Sequence, residues 1–330
     1  MPLPVLEGRL RLPVVCSPMF IVSSLELVIA QCKAGVVGSF PALNARPEQA
    51  LDDWLGRLRE ELALHDREHP HQPSAPFAVN LIVHRSNLRL EHDLAACVRH
   101  KVPIVITSLG AREDVVEAVH AYGGVVLHDV INNRFARKAI EKGADGLIAV
   151  AAGAGGHTGA QSPFALIQEI REWFDGPLLL SGAIAHGNGI LAALAAGADL
   201  AYIGSAFIAT EEANADPAYK QMVVEADASQ IVLTNFITGV HGNYLRGSLV
   251  NGGLDPDNLP SADPSKMDFS AGSSRPKAWK DIWGAGQGVG AVKKVTPAAE
   301  VVARLAREYK AARERMGCAG PDSAPAGGDR

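Results

Sequence analysis

Aromatic residues are scarce, only 5% of the 330-residue chain, which leaves few rings for the stacking platforms that hold single-stranded nucleic acid. A basic excess is also missing. Lys+Arg number 31 against Asp+Glu 36, a net charge of −5, so a phosphate backbone finds no counter-charge. Only four cysteines occur, none in a C-x-x-C pair, which excludes a disulfide framework and predicts a reducing, cytoplasmic setting. The first residues lack a basic stretch leading into an apolar core, so no secretory signal is expected. One segment, 190–209, is apolar almost throughout, but Asp199 and Gly197 interrupt it and no membrane span is expected. Before Gly197 the run is rich in Ala and Leu like a helix; after it, Leu200 to Ile203 reads as a buried strand. What is present is an ordinary globular balance, 47% apolar and 20% charged, in a chain long enough for one large domain with insertions or about two domains.

The helix–turn–strand pattern recurs along the chain. Gly35, Gly143 and Gly197 each stand where a left-handed residue ends a helix, and an apolar run follows within a few residues. Strand candidates fall at 13–17, 36–40, 77–83, 103–108, 125–130, 146–151, 177–181 and 200–203. They are continuous apolar runs, the pattern of parallel strands covered on both faces. Helical segments lie between them; in 47–64, Leu51, Leu55, Leu58 and Leu62 recur at helical spacing. Such strand–helix units over about 200 residues predict an α/β fold of the (β/α)8 TIM-barrel type, with a doubly wound sheet as the alternative. After Thr210 the rhythm stops. The barrel is expected over 1–212, a smaller inserted second domain near the C-terminus over 213–292, a helix over 293–316 returning to the barrel, and a disordered tail over 317–330 containing Cys318.

Barrel active sites are built on the loops at the C-terminal ends of the strands. Three Gly-rich segments sit there: AAGAGGHTG at 151–159, SGAI at 181–184 and GSA at 204–206. The last two follow the seventh and eighth candidate strands, where small residues let backbone N–H groups reach a phosphate; read individually, they are simply tight turns. Neither is a P-loop, and Thr158 breaks a dinucleotide fingerprint in the first. His157 has glycines on both sides, so backbone can approach a flat ligand while an imidazole titrating near neutrality manages a proton. His65, His69 and His71 have spacing that admits zinc, but their charged neighbours read as a solvated helix end and no metal is expected. Asn80 interrupts an apolar strand, where a buried amide needs a partner, either backbone or a ligand.

Segments 153–159, 162–166, 180–184 and 196–210, together with Lys280 to Gly290, resemble the nitronate monooxygenase family, formerly the 2-nitropropane dioxygenases. The resemblance runs from Val14 to a helix ending near Arg315. It implies an FMN-dependent TIM barrel with a smaller second domain. It also implies roles for individual residues. Met19 would lie against the flavin ring, Asn80 would bond its polar edge, and Gly155 and Gly156 would pass close to it. Gly182 and Ala183, with Gly204 and Ser205, would hold the FMN phosphate, and Pro18, Ser181 and Ile203 would also bind the cofactor. Gln287 would approach from the C-terminal loop, and His157 would be the catalytic base. The implied reaction oxidises alkyl nitronates, and possible nitroalkane substrates, with O2 to a carbonyl compound and nitrite, in a monomer or homodimer that binds neither nucleic acid nor membrane.

The chain also departs from that family. Gly153 stands where many members have Glu, Ala183 replaces a second glycine, and Asp129 occupies the place of a Lys in related NADH:quinone reductases. Two alternatives therefore stay open: an NAD(P)H-dependent FMN reductase acting on quinones or an enoyl thioester, and a flavin-free phosphate-binding barrel.

Overall fold

A computed structural model of the chain describes residues 3–262 and 280–317. Cys318, the tail beyond it and residues 263–279 of the expected inserted domain lie outside the described residues. Continuous burial makes the strands. The runs β1 (Val14–Cys16), β2 (Gly38–Pro41), β3 (Phe77–Ile82), β4 (Ile104–Ser108), β5 (Val125–Val130) and β6 (Gly146–Val150) are almost wholly buried, as parallel strands covered on both faces must be. A two-residue strand, β7 (Gly156–His157), belongs elsewhere; β8 (Leu178–Ser181) and β9 (Leu200–Ile203) then complete the set. The eight are parallel in the order β2-β3-β4-β5-β6-β8-β9-β1. A parallel bridge between Val15 and Val37 joins the ends, with the Cys16 N–H donating to the Val37 carbonyl at 2.7 Å and Val37 N–H to Val14 at 3.1 Å. The ring closes into a (β/α)8 barrel.

Val15, Val37, Ile104, Ile106, Leu127, Ile148 and Leu179 fill its interior, joined by Leu3 and Leu6. Helices α1 (Leu25–Lys33), α2 (Ala50–Glu68), α3 (Leu90–Arg99), α4 (Glu113–His120), α5 (Asn133–Glu141), α6 (Pro163–Arg171) and α7 (Gly187–Ala195) cover it. In α2, Leu51, Leu55, Leu58 and Leu62 are all buried; the helix begins three residues after the expected start and runs four past the expected end. That extension places His65 inside it, stacked on His69 at 4.4 Å, with ring nitrogens facing the carbonyls of Gln72 and His65. Gly35, Gly143 and Gly197 take φ values of 88°, 90° and 112°, the left-handed turns from helix to strand.

The barrel's last helix is delayed. After β9 come α8 (Pro217–Glu225), an antiparallel pair β10 (Ile231–Thr234) and β11 (Gly242–Leu245), and α9 (Arg246–Asn251). Only then does α10 (Ala298–Arg315) lie down against α7 and α1, burying Val301, Val302 and Leu305. A Cβ on Gly187 would stand 2.1 Å from the Tyr309 nitrogen, so glycine is what lets α7 and α10 approach. No described helix is long and apolar enough to cross a membrane.

The segment after β6 differs from the expected loop. Gly156 and His157 form β7, which pairs antiparallel with β11 in a three-stranded sheet of order β10-β11-β7. The post-barrel segment is thus stitched to the barrel through the very residues around His157.

Candidate active site

The seventh and eighth barrel strands end in a cleft lined by Ser181, Gly182, Ala183, Gly204 and Ser205, together with Gly153, Gly155, Gly286 and Gly288. Glycines make up much of its wall, and Ile184 and Tyr202 line it as well. The N–H groups of Gly182 and Gly204 donate to no acceptor among the described residues. Ala183 adopts φ 55°, a left-handed conformation that glycine would take without cost, so the alanine departure retains the turn. Ile203 is fully buried as the last residue of β9, and its carbonyl accepts the Ser17 N–H at 2.9 Å.

The C-terminal loop closes the cleft's other side. Ser205 Oγ accepts the Gly286 N–H at 2.8 Å, and the Gln287 N–H donates to the Gly153 carbonyl at 2.9 Å. A Cβ on Gly155 would meet the Gly286 nitrogen at 2.7 Å, so this crossing needs a residue without a side chain. At Gly153 a Cβ would lie 3.0 Å from Gln287 Oε1 and 3.2 Å from the Ala183 Cβ, at a φ of 86°. A Glu at that position does not fit this loop arrangement.

Met19 lies on the turn after β1, its carbonyl held by Asn44 Nδ2 at 3.0 Å, and its sulfur would be 3.7 Å from a Cβ on Gly204. Pro18 directly precedes it. Asn80 stands on β3, which is opposite β8 in the ring of eight strands. Its Nδ2 donates to the Ile106 carbonyl at 3.1 Å and to Ser108 Oγ at 2.8 Å. Ser108 in turn donates to Asp129 Oδ2 at 2.5 Å, forming a polar chain across β3, β4 and β5. The structure thus gathers Ser181, Gly182, Ala183, Gly204, Ser205 and Gly155 in one cleft, with Met19 and Gln287 at its edges. Asn80 lies across the mouth. Ser108 and Asp129 as its partners were not picked out as site residues from sequence; a polar residue at the same depth of three neighbouring strands was the available signal.

Burial raises the Asp129 carboxyl from 3.8 to about 6, against the opposing pull of the Ser108 hydrogen bond. The cost of ionising it in the fold is absent below about pH 4 and complete above about 6, because the unfolded chain ionises first. Asp129→Asn keeps an acceptor for Ser108 and removes that cost. In the flavin-free protein it is expected to stabilise the fold at pH 8 by about 2 kcal/mol, allowing for partial solvent contact at the mouth, and by nothing near pH 4. Urea unfolding at the two pH values checks this, and equal midpoints at pH 8 would contradict it.

His157 is held from two sides. Its strand pairs with β11 in the register Gly242–His157 and Asn243–Gly156, and the Thr158 N–H donates to the His241 carbonyl at 3.0 Å. Buried Asn243 reaches the Ala154 carbonyl at 2.7 Å. The ring Nε2 lies 3.0 Å from Thr238 Oγ1. Burial pushes the imidazole down to about 4, so the titration expected near neutrality moves to the acid side, and His157 is neutral at physiological pH. A neutral imidazole can accept a proton.

A closed barrel with a glycine-rich cleft at its last two strand ends, and a histidine two residues along from the cleft-lining Gly155, has the build of a barrel enzyme whose site lies on the loops at the strand ends. The chain belongs to the nitronate monooxygenase family, whose model matches residues 23–308, and is an oxidoreductase of that flavin-dependent family. It is 27% identical to the nitronate monooxygenase of Paraburkholderia phytofirmans, over 92% of this chain and 94% of that protein. An octahydro-indene-carboxyl-CoA dehydrogenase of Mycobacterium tuberculosis is 27% identical over 72% of this chain and 64% of that one. The solved nitroalkane oxidase of Streptomyces ansochromogenes matches with a TM-score of 0.78 and 26% identity, covering 94% of this chain and 99% of that one.

Proposed function

We propose that the protein is an FMN-dependent oxygenase that converts alkyl nitronates with O2 to a carbonyl compound and nitrite. The observation that carries this reading is the position of His157, fixed by the pairing of β7 with β11 and two residues along from Gly155, which lines the cleft at the last two strand ends. In this scheme the backbone N–H groups of Gly182, Gly204 and Ser205 hold the FMN phosphate, while Ala183, its own N–H on the Gly153 carbonyl, shapes the turn of the cradle. Met19, with Pro18 shaping its turn, lies against the ring, as do Gly155 and Gly156, and Gln287 closes over it from the C-terminal loop. Asn80, across the mouth from β8, meets the polar edge. FMN when bound supplies the electron transfer to O2; the protein supplies orientation, proton management and electrostatics. His157 takes the α-proton of a nitroalkane or holds the nitronate that has already lost it. The segment between β9 and α10 acts as a lid domain in which the small sheet fixes His157.

FMN rather than FAD is expected to copurify, because there is one phosphate cradle and no dinucleotide fingerprint. The mass of the flavin released on denaturation checks this; FAD would overturn it. A second reading is favoured by the likeness to a carboxyl-CoA dehydrogenase: an NAD(P)H-dependent FMN reductase acting on a thioester or quinone. Anaerobic stopped-flow mixing separates the two. Bleaching of flavin absorbance by a nitronate and not by NADH supports the oxygenase, and the converse supports the reductase.

A further inference from the structure

The interior of the barrel changes character at its mouth. Ala78, Ile106 and Leu127 face inward on β3, β4 and β5 as part of the apolar filling. Two residues further along each strand stand Asn80, Ser108 and Asp129, which therefore face inward as well. Three neighbouring strands thus set an amide, a hydroxyl and a carboxyl side by side above the apolar layer. Their hydrogen bonds have a defined direction. The Ile106 carbonyl can only accept, so the group 3.1 Å from it is the amino end of Asn80, and Nδ2 gives its other proton to Ser108 Oγ at 2.8 Å. Ser108 spends its one proton on Asp129 Oδ2 at 2.5 Å. With both amide protons committed, the Asn80 side chain has Oδ1 left, which accepts from no donor among the described residues. We propose that Asp129 and Ser108 are positioning residues that hold the Asn80 carboxamide with its oxygen toward the mouth, where it accepts a hydrogen bond from the one N–H of the flavin's pyrimidine edge.

Two features support a built arrangement. A flipped amide would set Oδ1 against the Ile106 carbonyl, two acceptors face to face, and would find no proton at Ser108 while Asp129 holds it. Burial and the Ser108 hydrogen bond are all that act on the Asp129 carboxyl, so no cation competes for it. Above about pH 6 it is ionised and can only accept. The chain also reaches the cleft. Burial, and after it the charge of Asp129, raises the phenol of Tyr202, which lines the cleft and is held by Ser17. Asp129 therefore faces a residue of the cleft wall across the interior, and the amide it orients belongs to the same mouth.

This inference rests on the proposed contact of Asn80 with the polar edge of FMN, and its test separates the two. With 15N-labelled FMN bound at about pH 8, where Asp129 is ionised, the ring N–H is expected to give a downfield proton resonance that exchanges slowly with water. Ser108→Ala leaves one amide proton of Asn80 without an acceptor, and Asp129→Leu frees the Ser108 proton for Asn80 Oδ1. In both variants the resonance moves upfield and its exchange quickens. Asp129→Asn keeps an acceptor for Ser108 and retains the wild-type resonance. Ser108→Ala also raises the dissociation constant for FMN about fivefold, the worth of one hydrogen bond. If Asp129→Leu fails to fold, as circular dichroism would reveal, Ser108→Ala decides. The flavin-free protein gives a second readout: both Asn80 amide protons are protected from exchange, and one loses that protection in Ser108→Ala. An unchanged ring resonance in Ser108→Ala and in folded Asp129→Leu, with Asn80→Ala shifting it, overturns the positioning role alone. An unchanged resonance in Asn80→Ala overturns the contact between Asn80 and the ring, and this inference with it.

Discussion

In the His157→Asn variant, turnover of a neutral nitroalkane is expected to fall about 10²–10⁴-fold, the usual contribution of a positioned base to removing a carbon-bound proton. Flavin binding should persist, because the cradle residues lie on β8, β9 and the 286–288 segment and none of their contacts uses the imidazole. A preformed nitronate has already lost that proton, so its turnover should drop only modestly. The pH dependence has a defined sign. His157 titrates at about 4, so wild-type nitroalkane turnover rises with pH through that value and is level at neutrality. The variant should lack that acid limb. Where the enzyme takes only preformed nitronates, the limb at low pH carries the test. Equal and small effects on both substrates with an unchanged profile would make His157 a structural strand residue.

Gly204→Asp is expected to raise the dissociation constant for FMN on the order of 100-fold, because it sets a carboxylate where a dianionic phosphate would sit. Of the two cradle glycines, Gly204 is the cleaner site. Its φ is −110°, open to any residue, whereas Gly182 has φ 151° and a Cβ there would approach the Ala152 carbonyl to 2.9 Å. Gly182→Asp would mix charge repulsion with backbone strain. Gly204→Ala serves as the control: its Cβ would meet the Ser17 Cβ at 3.2 Å, a contact relieved by a small shift, so flavin should be retained. Equilibrium titration with FMN, with circular dichroism to verify folding, measures both. Full FMN affinity in Gly204→Asp would place the phosphate elsewhere.

Much of the barrel was legible because its information is local. Each of the eight candidate runs became a strand, since a segment buried on both faces must be apolar throughout and pairing adds no further requirement. The helix-ending glycines were readable for the same reason, as were the two glycine-bearing strand ends, which a barrel brings side by side whatever lies between them. The apolar stretch at 190–209 resolved into α7, a turn at Gly197 and β9, as its composition change indicated. The ends of α2 were less certain, because charged residues past Leu62 continue a helix as readily as they end it.

By itself, then, the sequence determined a parallel barrel, the glycine-bearing strand ends that line its cleft and the place of His157 next to them, all features carried by periodicity or by residues close in the chain. Tertiary structure alone decided what surrounds that histidine. Two residues paired to β11 carry no periodicity that could mark β7 as a strand, and a Gly-rich segment reads as a loop until its partner is known. The contact from His157 to Thr238 and the one from Gly286 to Ser205 each span 81 residues, and the chain from Asn80 through Ser108 to Asp129 crosses three strands. Such contacts depend on register and on how the described part of the segment between β9 and α10 folds back against the barrel. In sequence Thr238 looks like any other turn threonine; only the 3.0 Å approach of its oxygen to His157 Nε2 distinguishes it.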